Sequence, residues 1–113
     1  MAVDIPEEWR MTVSSILKEM DLKHIQLTDR TLNEFEALFP HASFTSDIVR
    51  SFLPALRHPL EGNPVYSMIP PGETYEFFYT HQGIKLYAKI SLLEDGKTVR
   101  IYPSHRPLKG DTL

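Results

Sequence analysis

The stretch Thr74 to Tyr102, TYEFFYTHQGIKLYAKISLLEDGKTVRIY, decides the fold. Apolar and polar residues alternate through much of it, the period of a strand with one buried face. Thr74 to His81 is rich in aromatic and β-branched residues, and Gln82-Gly83 behind it reads as a turn. Ile84 to Leu93 follows, with Ile84, Leu86, Ala88, Ile90 and Leu92 on one side. Asp95-Gly96 is the pair that favours a two-residue hairpin turn. Thr98 to Tyr102 is then a last strand, with Val99 and Ile101 continuing the buried face. Consecutive strands joined by tight turns form an antiparallel meander.

Working back from this stretch, Pro59, Gly62 and Pro64 read as a linker, and Val65 to Ile69 as a short first strand closed by Pro70-Pro71-Gly72. Before Pro59 the apolar period is helical. Trp9, Val13, Ile16, Leu17 and Met20 make one stripe. Pro6 suits a first helical position, Glu7 and Glu8 complement the positive end of the helix, and the helix ends near Met20 to Leu22. Thr28 or Asp29 caps a second helix with Leu32, Phe35, Leu38 and Phe39 buried and Pro40 as its stop. A third begins after Thr45, with Ile48, Val49, Phe52, Leu53 and Leu56 as its apolar face, and Pro54 predicts a kink or a break. The expectation is a single α+β domain over residues 1–113. Three N-terminal helices, within about 6–58, pack on one face of a four-stranded antiparallel meander sheet, within about 64–104.

Composition narrows the chemistry. With 113 residues, 42% hydrophobic and 24% charged, the chain has ordinary globular proportions. It contains no cysteine, which excludes a disulfide scaffold, a thiolate metal site and a cysteine nucleophile. No apolar run is long enough to span a bilayer, and MAVDIPEEWR is acidic where a secretory signal is basic, so a soluble, cytoplasmic protein is expected. The five histidines stand seventeen to twenty-four residues apart, without metal-ligand spacing. Phosphate-binding glycine loops and the serine-hydrolase elbow are missing, so no nucleotide cofactor is expected. The net charge of −3 speaks against a strongly basic nucleic-acid binder. Its distribution is uneven: residues 1–62 hold ten acidic and six basic residues, and residues 63–113 hold five and six.

The period of two also predicts what the other face of the sheet carries. The two turns place Glu76 opposite Lys89, Phe78 opposite Tyr87 and Thr80 opposite Lys85. They likewise place Lys89 opposite Tyr102, Ser91 opposite Arg100 and Tyr87 opposite Ser104, with His105 and Arg106 just beyond. Lysine and arginine there neutralise phosphate oxygens and stabilise charge as an oxygen attacks phosphorus. Tyrosine and phenylalanine rings offer stacking surfaces to unpaired bases. Glu76 or His105 is placed to take the proton of a ribose 2′-hydroxyl, and a histidine or tyrosine to protonate the leaving oxygen. A solvated sheet face with an ordinary Glu76–Lys89 ion pair explains the same alternation. Trp9 reads as a packing residue of the first helix. His58 reads as a helix-end residue facing free carbonyls.

The order of elements resembles the Barnase–EndoU–colicin–RelE (BECR) group of small toxin ribonucleases, in particular the MqsR-type mRNA interferases. The likeness runs from about Thr45 to Pro107. It rests on a helix followed by VYSM (Val65 to Met68), an aromatic strand ending at Tyr79, LYAKI (Leu86 to Ile90) and VRIYPSH (Val99 to His105). Tyr87, two residues before Lys89, falls where the toxins have a functional tyrosine. Their catalytic lysine is replaced here by Tyr66 and a functional glutamine by Glu76, while a basic residue ending their last strand falls near His105 or Arg106. The resemblance implies a metal-independent ribonuclease acting on single-stranded RNA, with a protein antitoxin as partner. Glu76, Tyr87, Lys89 and His105 would be catalytic, and Lys85, Arg100, Tyr102 and Arg106 would bind substrate. The other classes the residues allow are a non-catalytic interaction or regulatory module on the same scaffold, and a phage or accessory protein of unrelated function. The acidic helices and the lost lysine favour the module.

Overall fold

The computed structural model describes residues 2–40 and 45–102. In chain order they form β1 (Val3–Asp4), α1 (Glu7–Glu19), β2 (Ile25–Gln26), α2 (Asp29–Leu38) and α3 (Thr45–Leu56). There follow β3 (Glu61–Val65), β4 (Gly72–His81), β5 (Ile84–Leu93) and β6 (Val99–Ile101). The class is α+β, but the expected four-stranded meander is wrong. Six strands lie in the order β1-β3-β4-β5-β6-β2, and the last pair is parallel. The helices are not a purely N-terminal block, because β1 precedes α1 and β2 separates α1 from α2.

Each helix shows how its sequence sets its limits. Pro6 stands just outside α1 as its N-cap, at φ −55° and ψ 134°, and Met20 closes the helix in the left-handed region. Thr28 caps α2, its hydroxyl accepting from the Thr31 amide at 3.2 Å and so satisfying one of the free donors of the first turn. No break occurs at Pro54: α3 runs on to Leu56, and the Arg57 amide still donates to the Leu53 carbonyl at 3.2 Å. The carbonyl that proline leaves without its usual intrahelical donor belongs to Arg50, an exposed residue, so the lost bond is not a buried one. The C-terminal end of α3 is closed by Arg10 rather than His58. Arg10 Nη1 donates to the carbonyls of Leu56 at 3.0 Å and His58 at 2.8 Å, with the arginine only 7% exposed.

The central ladder follows the predicted register. Glu76 pairs with Lys89, Phe78 with Tyr87, Thr80 with Lys85 and Ser91 with Arg100. Gln82 and Gly83 both take positive φ, 51° and 77°, the geometry whose twist suits a two-residue hairpin. Between β5 and β6 the register holds but the turn is longer. Leu93 and Thr98 close a loop in which Asp95 Oδ1 accepts from the amides of Lys97 and Thr98, and Oδ2 from the Thr98 hydroxyl at 2.6 Å.

The presumed linker is strand β3, and the expected strand at Val65 to Ile69 covers only its last residue. Gly62 and Pro64 misled for a physical reason. A Cβ at Gly62 would fall on the Glu76 carbonyl, so the close approach of β3 to β4 requires glycine. Pro64 lies past the two residues where β1 pairs, on a stretch of edge that tolerates a missing donor.

The inner sheet face presents Tyr75, Phe77, Tyr79, Leu86, Ala88, Ile90, Val99 and Ile101 to the helices, all buried. Trp9 meets Tyr75 edge-on at 5.0 Å and its indole nitrogen donates to the Glu73 carbonyl at 3.0 Å, so it is a packing residue as expected. Phe52 packs on Tyr79 at 5.0 Å. Each such side chain contributes about 1.5–3 kcal/mol by leaving water, and this layer fixes which residues the opposite face displays. No helix among the described residues is long and apolar enough to cross a membrane.

Candidate functional site

The outer face is ordered in rows running across the strands. One row reads Asn63, Glu76, Lys89, with the Tyr102 amide donating to the Lys89 carbonyl at 3.0 Å. A second reads Val65, Thr74, Ser91, Arg100, Gln26, and Phe78 with Tyr87 and Thr80 with Lys85 extend the surface toward the β4–β5 turn. The face thus collects Glu76, Tyr87 and Lys89 from the expected catalytic set, and Lys85, Arg100 and Tyr102 from the expected binding set. His105 and Arg106 lie outside the described residues, as does Ser104.

Side-chain partners differ from those the register implied. No ion pair within 4.0 Å joins Glu76 to Lys89, although they face each other across the ladder. The Glu76 carboxylate accepts instead from the Tyr87 hydroxyl. The cations lie over rings. Lys85 Nζ stands 4.4 Å from the Phe78 centroid, Lys89 Nζ 4.9 Å from that of Tyr102, and the Arg100 guanidinium carbon 5.4 Å from the same ring. Arg100 Nη1 also donates to Gln26 Oε1 at 3.0 Å. Gln26 was not readable as a site neighbour, since a two-residue parallel strand brings it there. Phe78 and Tyr87 meet edge to face at 6.3 Å.

The two ends of the face differ. Toward Gly72, Thr74 and Ser91 are 2% and 0% exposed and their hydroxyls are bonded at 2.8 Å, a closed structural contact. Toward the β4–β5 turn, Thr80 and Lys85 are exposed and Phe78 and Tyr87 half-buried. The open end sets Lys85 beside Phe78 and Tyr87, while Lys89 and Arg100 stand over Tyr102 further along the face, with one carboxylate held by a phenol between them. It offers charge to phosphates, flat surface to bases, and one carboxylate–phenol pair for moving a proton. Among the described residues, no group of three or more histidine, aspartate or glutamate side chains is placed to hold a metal ion.

No family model matches the chain, and neither a curated protein nor a solved structure does, so the site is read from its own geometry.

Proposed function

We propose that the outer face of the sheet binds single-stranded RNA, and that the protein is a metal-independent ribonuclease of the toxin type. The observation that carries this reading is the placing of Lys85, Lys89 and Arg100 over the rings of Phe78 and Tyr102 on one face. Solvated lysines on an ordinary sheet point to water, whereas cations flanking half-buried ring surface suit a polyanion with unpaired bases. In the cleavage step the ribose 2′-oxygen attacks phosphorus while Glu76 takes its proton. The bond to the 5′-oxygen breaks as Tyr87 protonates that oxygen, leaving a 2′,3′-cyclic phosphate and a 5′-hydroxyl. Proton return from Glu76 to Tyr87 runs along the hydrogen bond they already share. Such a substrate places the work in the cytoplasm, with a protein antitoxin as the natural partner.

A second reading, a binding module without cleavage, is favoured by one feature: the Glu76 carboxylate, the proton acceptor of the cleavage step, is already engaged by the Tyr87 hydroxyl. One experiment separates the two. Fluorescein-labelled mixed-sequence RNA is incubated with protein in EDTA and followed by anisotropy and on a denaturing gel. Binding that is lost in the K85A/K89A/R100A variant supports the RNA reading, and equal binding by that variant ends it. Cleavage that Glu76→Gln abolishes supports the ribonuclease, whereas RNA bound and left intact supports the module.

A further inference from the structure

The two most exposed large hydrophobic side chains among the described residues, Tyr66 at 79% and Ile69 at 90%, stand in one loop, residues 66–71 between β3 and β4. Its sequence is YSMIPP, and only Ser67 in it is neither apolar nor aromatic. The loop is preorganised. Ser67 holds the left-handed region at φ 62°, and the rings of Pro70 and Pro71 fix φ at two positions, so little chain entropy is lost when a partner covers it. Two clefts of about 420 and 260 Å³ lie at its base and share Gly72 and Glu73 in their lining. Met68, Pro71 and Leu93 line the larger, and Val65 and Tyr66 the smaller. The loop stands at the Gly72–Leu93 end of the central ladder, away from the β4–β5 turn beside which Phe78 and Lys85 lie.

The surroundings of the loop are acidic. Glu73 and Glu94 line the larger cleft, and a third cleft, of about 180 Å³, has Glu8 of α1 and Glu73 together in its lining. All three carboxylates are exposed, and among the described residues no lysine, arginine or histidine lines any of the three clefts. Glu73 accepts from the Tyr75 hydroxyl at 2.8 Å, a bond that leaves its negative charge in place. Glu8 and Glu94 form no ion pair within 4.0 Å among the described residues. Arg100, two rows from Gly72 on the outer face, is committed to Gln26 and to the Tyr102 ring. Negative charge around an exposed apolar loop repels a phosphate backbone and an anionic bilayer, and it attracts a partner that joins aliphatic side chains to lysine or arginine. We infer that residues 66–71 and the clefts at their base are a docking surface for a basic protein segment, whose aliphatic side chains cover Tyr66 and Ile69 while its cations meet Glu8, Glu73 and Glu94. A second copy of the chain is a poorer occupant. Joining this acidic end to the basic outer face of another molecule is a heterologous contact, which does not close into a two-fold dimer.

The inference does not rest on the RNA reading of the outer face, since none of the residues it uses belongs to that reading. In the test, random peptides displayed on phage are selected on the full-length protein and counter-selected on a double variant, Tyr66→Ser with Ile69→Ser. Both positions are exposed, so the double variant should melt with the parent protein. The expected result is a set of peptides with net positive charge and aliphatic residues. A fluorescein-labelled synthetic copy should lose affinity by about tenfold or more on the double variant. It should also bind more weakly, with a shallower salt dependence, to protein carrying Glu8→Gln with Glu94→Gln. Selected peptides of neutral or negative charge overturn the inference, as does a selection that yields none able to tell the parent from the double variant. A dimer in sedimentation that the double variant breaks also overturns it and assigns the loop to self-association. Binding to phosphatidylserine vesicles that the double variant loses overturns it in favour of a membrane. The K85A/K89A/R100A variant keeps the peptide affinity, so failure of the outer-face reading and failure of this one are told apart.

Discussion

Removing Lys85 should change how RNA binding responds to salt by a calculable amount. Each phosphate neutralised by a cation on a single strand contributes about −0.7 to the slope of log affinity against log salt, through released counterions. Lys85, Lys89 and Arg100 together give a slope of about −2.1, an affinity loss of about 18-fold between 50 and 200 mM salt. Cations elsewhere in the chain add to that slope, so the decisive quantity is a difference. Lys85→Ala should make the slope shallower by about 0.7, and for the three outer-face cations alone the same salt step would then cost about sevenfold. Glu76→Gln removes a negative charge from the face without removing a phosphate contact, so it should raise affinity and leave the slope unchanged. The assay is fluorescence anisotropy over five salt concentrations, with a 2′-O-methyl RNA that cannot supply the attacking hydroxyl and so reports binding alone. If the slope is the same with and without Lys85, the ammonium over Phe78 meets no phosphate and the placement of RNA on this face is refuted.

Three further outcomes follow from the described contacts. Arg10→Met keeps the buried stem but strips the donor from the Leu56 and His58 carbonyls, and should cost about 3 kcal/mol in urea unfolding; a loss below about 1 kcal/mol would remove Arg10 as the closing group of α3. Burial and the bond to Glu73 push the Tyr75 hydroxyl up to about 12, so the folded state keeps a proton that the unfolded chain releases near pH 10. Stability should therefore fall as pH rises from about 10 toward 12, and Tyr75→Phe should lessen the fall, as read by thermal melts across that window. The Thr98 hydroxyl, then the Lys97 amide, hold the Asp95 carboxyl below its usual range. Its stabilising effect is present above the unfolded value near 4 and lost as pH drops through the folded one, so Asp95→Asn should flatten the acid limb of the stability curve.

Much of the sheet was legible because two turns fix its register. Gln82-Gly83 sets every pair from Gly72 with Leu93 to His81 with Ile84. Strand β5 was readable to the residue, since ten alternating positions leave no other phase for it. Strands β1 and β2 were not readable, because two residues carry no period. They exist only through partners, Val3 through Gly62 and Ile25 through Val99. The site was legible to the same depth. Periodicity placed Glu76, Tyr87, Lys85, Lys89, Arg100 and Tyr102 on one face, but opposition across a ladder does not choose the hydrogen-bond partner. Tyr87, two pairs further along the ladder and next on the same face, captures the carboxylate that Lys89 faces. The acidic cleft beside Glu73 was beyond sequence reading altogether, as it joins positions 8, 73 and 92 from three elements.

If the outer face binds RNA as proposed, the rings under the lysines set a competition between cation and base. A base can stack on Phe78 only by displacing the Lys85 ammonium from its face. The cation–ring contact is worth about 0.5–1 kcal/mol at an exposed site, and a stacked base about 1–3 kcal/mol, so the base prevails. The displaced ammonium then stands beside the strand that displaced it, where a phosphate is the nearest anion. On the proposed reading ring and cation serve different parts of one nucleotide, and they should separate by mutation. Phe78→Leu keeps an apolar, half-buried side chain but loses the stacking face. It should weaken single-stranded RNA by about tenfold at every salt concentration, with the slope of the parent protein. A Phe78→Leu variant whose affinity is unchanged would leave the ring as a packing residue only. One whose slope falls along with its affinity would show that Lys85 needs the ring to reach the phosphate, and the two roles would then be one.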